Sequence, residues 1–212
     1  MKVADNIDLI LGDCMDLMHN TPDNYYSLSI VDPPYGVNLS GGRGNNGWSG
    51  KEFWDKARNG WNEKIPNEDY FSELIRISKN QIIWGGNYFP LPPTQCWLIW
   101  DKGQRDFSLA DGEMAWTSFD KAMRIKTIHG AVANQETKIH PTQKPIKLYE
   151  WILMNYAQAG DKILDTHLGS GSSAIAAHRQ GFSFTGIEID KDYYEAAVKR
   201  FRQYAAQLSL FQ

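Results

Sequence analysis

Lys162-Ile163-Leu164-Asp165-Thr166-His167-Leu168-Gly169-Ser170-Gly171-Ser172-Ser173-Ala174 sets the architecture. A short apolar run ends in an acid, a turn with two glycines follows, and Ser172 to Arg179 then reads as a helix. That is a buried strand entering a helix through a tight turn, and the unit recurs on both sides. Downstream, the strand Phe184 to Ile187 ends at Glu188, and a helix capped by Asp190 buries Tyr194, Ala197, Val198 and Phe201. Upstream, Pro145 opens a helix with Tyr149, Ile152, Leu153 and Tyr156 on one face, and Gly160 stops it. Earlier still, Ile7 to Leu11 closes on Gly12-Asp13, and Ser27 to Val31 closes on Asp32-Pro33-Pro34. A helical face of Phe71, Leu74, Ile75 and Ser78 precedes the strand Gln81 to Trp84, and Cys96 to Trp100 and Glu113 to Phe119 read as further strands. This alternation predicts a doubly wound, mostly parallel α/β sheet with its ligands at the carboxyl ends of the strands.

The chain has 212 residues, 42% of them apolar and 22% charged, which suits one domain over residues 1–212 with a full core and excludes wholesale disorder. No run approaches the roughly 18 apolar residues of a membrane span. Met1-Lys2-Val3-Ala4-Asp5-Asn6 leads directly into polar residues, so no secretory leader is expected and the cytoplasm is the expected compartment. Cys14 and Cys96 stand far apart, outside any Cys/His cluster, which argues against a disulfide framework and against a metal site.

The net charge of −3 is unevenly spread. Asp120 to Lys147 carries +4 and Gly41 to Lys64 carries +2, leaving an acidic body. Two basic segments of this kind fit a polyanion held at one face, although an ordinary solvated surface has the same composition. From Gly36 to Lys64 no period is visible among the glycines, asparagines and tryptophans, and that stretch is too long for an ordinary structureless loop.

Acids stand at four strand ends: Asp13, Asp32, Asp165 and Glu188. The turn Gly169-Ser170-Gly171 with Ser172 lets the backbone approach a ligand beside a helix N-terminus, a pattern shared by dinucleotide folds and by ligand-free turns. Asp165 separates the ligands, because it would repel a pyrophosphate at short range but favour the ammonium and sulfonium of S-adenosylmethionine. Glu188 could accept hydrogen bonds from ribose hydroxyls and Asp13 one from an adenine amino group. Asp32-Pro33-Pro34-Tyr35 presents backbone carbonyls in a rigid array between a carboxylate and an aromatic ring, which suits an exocyclic amino group. An ordinary proline strand stop followed by a surface tyrosine would look the same.

Together, Asp32-Pro33-Pro34-Tyr35, His140-Pro141-Thr142-Gln143-Lys144-Pro145, Leu164-Asp165 with Gly169-Ser170-Gly171, and Gly186-Ile187-Glu188 resemble the DNA amino-methyltransferases. The order, with the Asp-Pro-Pro-Tyr segment ahead of the glycine turn, is similar to that of the circularly permuted β group. The resemblance also takes in Gly12-Asp13, Trp84-Gly85-Gly86-Asn87-Tyr88-Phe89 and Trp100-Asp101-Lys102-Gly103. It implies a seven-stranded sheet entered at its third strand, with the final strand antiparallel. It implies S-adenosyl-L-methionine held by Asp13, Cys14, Pro141, Thr142, Lys144, Asp165, His167, Gly169, Ser170, Gly171, Ser172 and Glu188. Within that set, Pro141, Thr142 and Lys144 should close over the methionine end. His167 departs from the family's usual aromatic residue and is expected to pack as a neutral ring.

The activity implied is methyl transfer to the N6 of a flipped adenine in double-stranded DNA, with Asp32, Pro33, Pro34 and Tyr35 as the catalytic segment and a restriction-modification setting. Cytosine N4 methylation is the alternative, and a dinucleotide-binding oxidoreductase a more distant one. Residues 36–64 are expected to form a mobile DNA-contacting loop with Arg43, Lys51 and Arg58 on phosphates, and residues 118–139, with Lys126, a minor target-recognition segment. Gln207-Leu208-Ser209-Leu210-Phe211-Gln212 resembles the short peptide that docks on bacterial sliding clamps. Packing of Leu208 and Phe211 on the sheet or on a second copy in a homodimer is the other reading of that tail.

Overall fold

The computed structural model describes residues 2–36, 65–105, 110–129, 136, 138–140 and 142–209, with side chains to residue 206. Nine strands among them form one sheet: β1 (Lys2–Ala4), β2 (Ile7–Leu11), β3 (Tyr26–Val31), β4 (Ser78–Trp84), β5 (Leu98–Asp101), β6 (Gly112–Thr117), β7 (Arg124–Thr127), β8 (Lys162–Asp165) and β9 (Ser183–Glu188). Their spatial order is β1-β2-β9-β8-β3-β4-β6-β5-β7. The five strands from β2 to β4 run parallel, and β6 is antiparallel to both of its neighbours. The seven strands from β2 to β5 in that order correspond to the expected sheet. The description adds β1, a short antiparallel edge, and β7, which pairs in parallel with β5.

Five helices complete the fold: α1 (Cys14–His19), α2 (Glu68–Ile77), α3 (Ile146–Tyr156), α4 (Ser172–Arg179) and α5 (Lys191–Ser209). Alternation along the strands feeds two cores, as it must in a sheet covered on both faces. Ile82, Trp84 and Ile163 belong with Ile152, Leu153, Ile175 and Phe201 of α3, α4 and α5. Their strand neighbours Ile83 and Leu164 belong with Met18 of α1 and Phe71 and Leu74 of α2. Helix α1 was not legible in the sequence pattern, because six residues capped by Asp13 are too few to show a period. Helix α5 runs to Ser209, so the first half of the expected tail continues the helix, while 210–212 lie outside the described residues. No helix among the described residues is long and apolar enough to cross a membrane.

The chain steps from β8 outward to β9 on one side and from β3 outward to β4 on the other. The strand order therefore reverses between β8 and β3, and the loops leaving their carboxyl ends part to form a crevice. Asp165 and Asp32 stand at that point.

Candidate active site

Asp165, the last residue of β8, is 1% exposed. Its carboxylate accepts hydrogen bonds from the His167 N–H (3.0 Å) and the Ser173 hydroxyl (2.6 Å), both neutral donors. Burial pushes its pKa up to about 7, and those two donors only partly offset the cost of the charge. Between β8 and α4 the backbone turns through Gly169 (φ +51°) and Gly171 (φ +72°), a left-handed conformation that glycine adopts without strain. The Gly169 N–H donates to Glu188 Oε2 (2.8 Å) and the Asp190 N–H to Oε1 (2.9 Å), and the Ile189 N–H also hydrogen-bonds this carboxylate, which leaves about one acceptor position for another donor. Burial raises the Glu188 pKa as well.

Around this turn the structure gathers several of the expected residues. His140 packs on it, with ring atoms 3.6 Å from where a side chain on Gly169 would begin, and Thr142 Oγ1 lies 3.2 Å from His140 Nδ1. Burial, with Lys144 nearby, lowers the His140 pKa to about 4. His167 is half-buried, edge-on against Tyr70 of α2, its Nδ1 lies 2.9 Å from Thr166 Oγ1, and desolvation of the ring lowers its pKa to about 4. The ring is neutral at physiological pH and is held by packing. Asp13 caps α1 through the Met15 N–H (2.8 Å), and burial pushes the adjacent Cys14 thiol up to about 12, which leaves it inert. Ser170 and Ser172 are tied down from behind: Arg200 Nη1 of α5 donates to the Ser170 carbonyl (2.7 Å) and to Ser172 Oγ (3.0 Å), and its Nη2 pairs with Glu136 (2.7 Å).

At the end of β3, Asp32 and Tyr35 form a second cluster. The Tyr35 hydroxyl donates to Asp32 Oδ1 (2.5 Å), and its ring stacks on Tyr88 with centroids 5.0 Å apart and planes 12° from parallel. That ring position requires Gly85, where a Cβ would lie 2.2 Å from Tyr35 Cε1 and where φ is +67°. Lys144 joins this cluster. Its ammonium sits 2.5 Å from Asp32 Oδ2, 3.1 Å from Glu113 Oε2 and 3.3 Å from the Tyr35 hydroxyl oxygen, with the side chain 1% exposed. A buried ammonium is drawn to carboxylates beside it, and Lys144 stands between those of Asp32 and Glu113. Burial works against its charge, but Asp32 and Glu113 outweigh it and raise the Lys144 pKa. Burial raises the Asp32 pKa, and Lys144 pulls it back.

With the crevice built, the comparisons with known proteins decide its family. A family model described as DNA methylase, N6_N4_Mtase, matches residues 83–199. The chain belongs to that DNA methylase family. This methylase is 25% identical over 245 aligned residues to the type II methyltransferase M2.MboI of Moraxella bovis, an alignment covering 93% of the chain and 88% of the relative. A shorter match, 46% identical over 61 residues, to type II methyltransferase M2.DpnII of Streptococcus pneumoniae covers 29% of the chain and 23% of that protein. In fold the methylase is similar to PvuII DNA methyltransferase, cytosine-N4-specific (TM-score 0.61, 16% identity, 93% of this chain and 87% of that one). It is also similar to M1.HpyAVI in complex with SAM (TM-score 0.57, 19% identity, 92% and 98%).

Not every expected site residue of the methylase meets at the crevice. Lys126 lies on the edge strand β7, four strands from β3, about 19 Å at the usual strand spacing. The segment before it packs on the body, where the Lys121 ammonium lies 4.9 Å from the Tyr156 ring centroid. Arg43, Lys51, Arg58 and Pro141 lie outside the described residues. Sequence reading passed over Glu113 as a mere strand residue, and Tyr70 and Arg200 altogether. Nothing local marks them, since each meets the site from a separate element.

Proposed function

We propose that this methylase transfers a methyl group from S-adenosyl-L-methionine to the exocyclic N6 of a flipped adenine in double-stranded DNA. The observation that carries the reading is the junction of two clusters at the β8/β3 switch point: Asp32 with Tyr35 on one side, and Asp165 with Glu188 and the glycine turn on the other. The residues fit this cofactor. Asp165 is a buried carboxylate with only neutral donors on it, a site that gains from a cation, and Glu188 keeps an acceptor position for a hydroxyl. The described likeness to M1.HpyAVI in its SAM complex supports the same assignment. When bound, the cofactor supplies an electrophilic methyl group.

The chain's own residues then align the amine. Asp32 has two acceptor positions beyond those used by Tyr35 and Lys144, and one of them takes an N–H of the target base. Together with the Pro33 carbonyl it fixes both N–H bonds, so that the nitrogen lone pair faces the methyl group. Alignment alone contributes several kcal/mol to such a displacement. Asp32 acts as an acceptor, since a carboxylate beside an ammonium is a poor base towards a neutral amine. Arg43, Lys51 and Arg58 would hold phosphates, the Gln207 to Phe211 segment would dock on a sliding clamp, and the protein would work in the cytoplasm, where its substrate is. Aspartate at position 32 favours adenine. Tritiated methyl transfer to DNA, followed by digestion to nucleosides, tests the reading: N6-methyladenine is expected, with Asp32→Ala inactive. N4-methylcytosine would reassign the base, and an active Asp32→Ala would overturn the mechanism.

A further inference from the structure

We infer that Glu113 is a positioning residue for methyl transfer, acting on Asp32 through Lys144; the inference rests on the proposed reaction at Asp32. Glu113 is near the start of β6, pairing with Trp100 of β5, and because β6 is antiparallel its first residues reach the edge where the parallel strands end. An antiparallel strand thereby delivers a carboxylate to a crevice otherwise built from the ends of parallel strands.

The cluster is a chain of alternating charges. The Lys102 ammonium lies 2.9 Å from Glu113 Oε1, Glu113 Oε2 lies 3.1 Å from the Lys144 ammonium, and that ammonium lies 2.5 Å from Asp32 Oδ2. The three protons of Lys144 thus have three acceptors: Asp32, Glu113 and the Tyr35 oxygen, whose own proton goes to Asp32. With every proton committed, Lys144 cannot swing, and Asp32 is held from both sides. The Lys144 ammonium also lies 5.1 Å from the Trp84 ring centroid.

Charge gives Glu113 a second task. The amine nitrogen becomes positive as it gains the methyl group, so the transition state gains from net negative charge around it. Asp32 and Lys144 alone would cancel. Glu113 places a negative charge directly against Lys144, and Lys102 pairs with Glu113 through its other oxygen, one residue further from the reacting nitrogen. Burial works to raise the Glu113 pKa, but Lys144 and Lys102 outweigh it and hold the carboxyl below its ordinary range, so it is ionised at neutral pH.

The other groups that face Asp32 are Tyr35 from its own segment, Tyr70 of α2, Tyr149 of α3 and Asp165 of β8. Burial keeps all three tyrosines protonated, so none changes charge near neutrality. Burial pushes the Asp165 pKa up to about 7, and the Asp32 charge adds to that rise, so the Asp165 carboxyl is followed alongside Asp32 in each variant below.

The test combines single-turnover methylation with titration of the Asp32 carboxyl by carbon-13 NMR in the full-length protein. Glu113→Gln should slow methyl transfer by about ten- to a hundredfold, the range expected for a misplaced acceptor, with cofactor affinity unchanged, and Glu113→Asp should recover part of the rate. The two sides of the chain should move Asp32 in opposite directions: Glu113→Gln lowers its titration midpoint by removing a like charge, and Lys144→Met raises it by removing the ammonium. A merely structural loss would not produce opposite shifts. A Glu113→Gln enzyme with the wild-type rate, or midpoints that move together, would overturn the inference. The NMR arm stands even if wild type methylates neither adenine nor cytosine, an outcome that would overturn the proposed reaction and leave the coupling of Glu113 to Asp32 decided by titration alone.

Discussion

Acidification should strip the proposed cofactor from this protein before it unfolds the chain, and Asp165 sets the size of the effect. In the cofactor-free protein its carboxyl has a pKa of about 7, against an ordinary value of 3.8. A cationic ligand binds the ionised form. At pH 6 about 0.9 of the Asp165 population is protonated, and at pH 7.5 about 0.2, so the apparent Kd should be roughly eightfold weaker at pH 6. Binding should release about 0.9 proton at pH 6 and about 0.2 at pH 7.5, provided that the bound carboxyl titrates well below 6. His140 and His167, both near 4, stay neutral across this window. The free chain has the opposite preference. Because the folded state holds the Asp165 proton more tightly than the unfolded state, this group's contribution to stability falls as pH rises from about 4 to about 7, by about 1.4 kcal/mol per unit and at most about 4 kcal/mol in all. Isothermal titration with S-adenosylmethionine, in two buffers of different ionisation enthalpy at each pH, measures both affinity and proton release. Affinities within twofold at the two pH values, with no buffer-dependent heat, would refute the reasoning. Asp165→Asn should bind weakly and without the pH dependence.

Gly85→Ala should abolish most methylation while the chain still folds, because the added Cβ would lie 2.2 Å from the Tyr35 ring at a residue with φ +67°; the left-handed backbone alone costs about 1–2 kcal/mol, readable in a urea denaturation curve, and wild-type activity would show that Tyr35 need not keep this position. Arg200→Ala should destabilise the fold by about 1–3 kcal/mol, since it leaves the half-buried Glu136 without its guanidinium and the Ser170 carbonyl without its donor. Arg200→Lys should not restore stability, because one ammonium cannot reproduce the two-sided fork, and a thermal midpoint equal to wild type would contradict this account.

The parts of this protein that could be read without a structure are those whose cause is local. Strand β8 ends at Asp165 because a glycine turn follows, β3 ends before Asp32-Pro33-Pro34 because proline cannot continue the ladder, and α3 shows its buried face at helical spacing. From those signals the doubly wound sheet and the crevice at its carboxyl edge follow, as do the glycine turn and the acids that line it. Elements too short for a period, α1 and the edge strands β1 and β7, left no such trace. Neither did the partners of the acids. Glu113 reaches the crevice only because β6 runs against its neighbours, Lys144 turns to Asp32 and Glu113 because their carboxylates stand beside it once the strands are in register, and Arg200 meets Ser170 across 30 residues of chain. Sequence determines where a strand must stop and which residue types stand there, since sterics and hydrogen bonding act over a few residues. Which charges then face one another depends on strand order and direction, because a buried ion settles against whichever opposite charge the completed fold brings within reach.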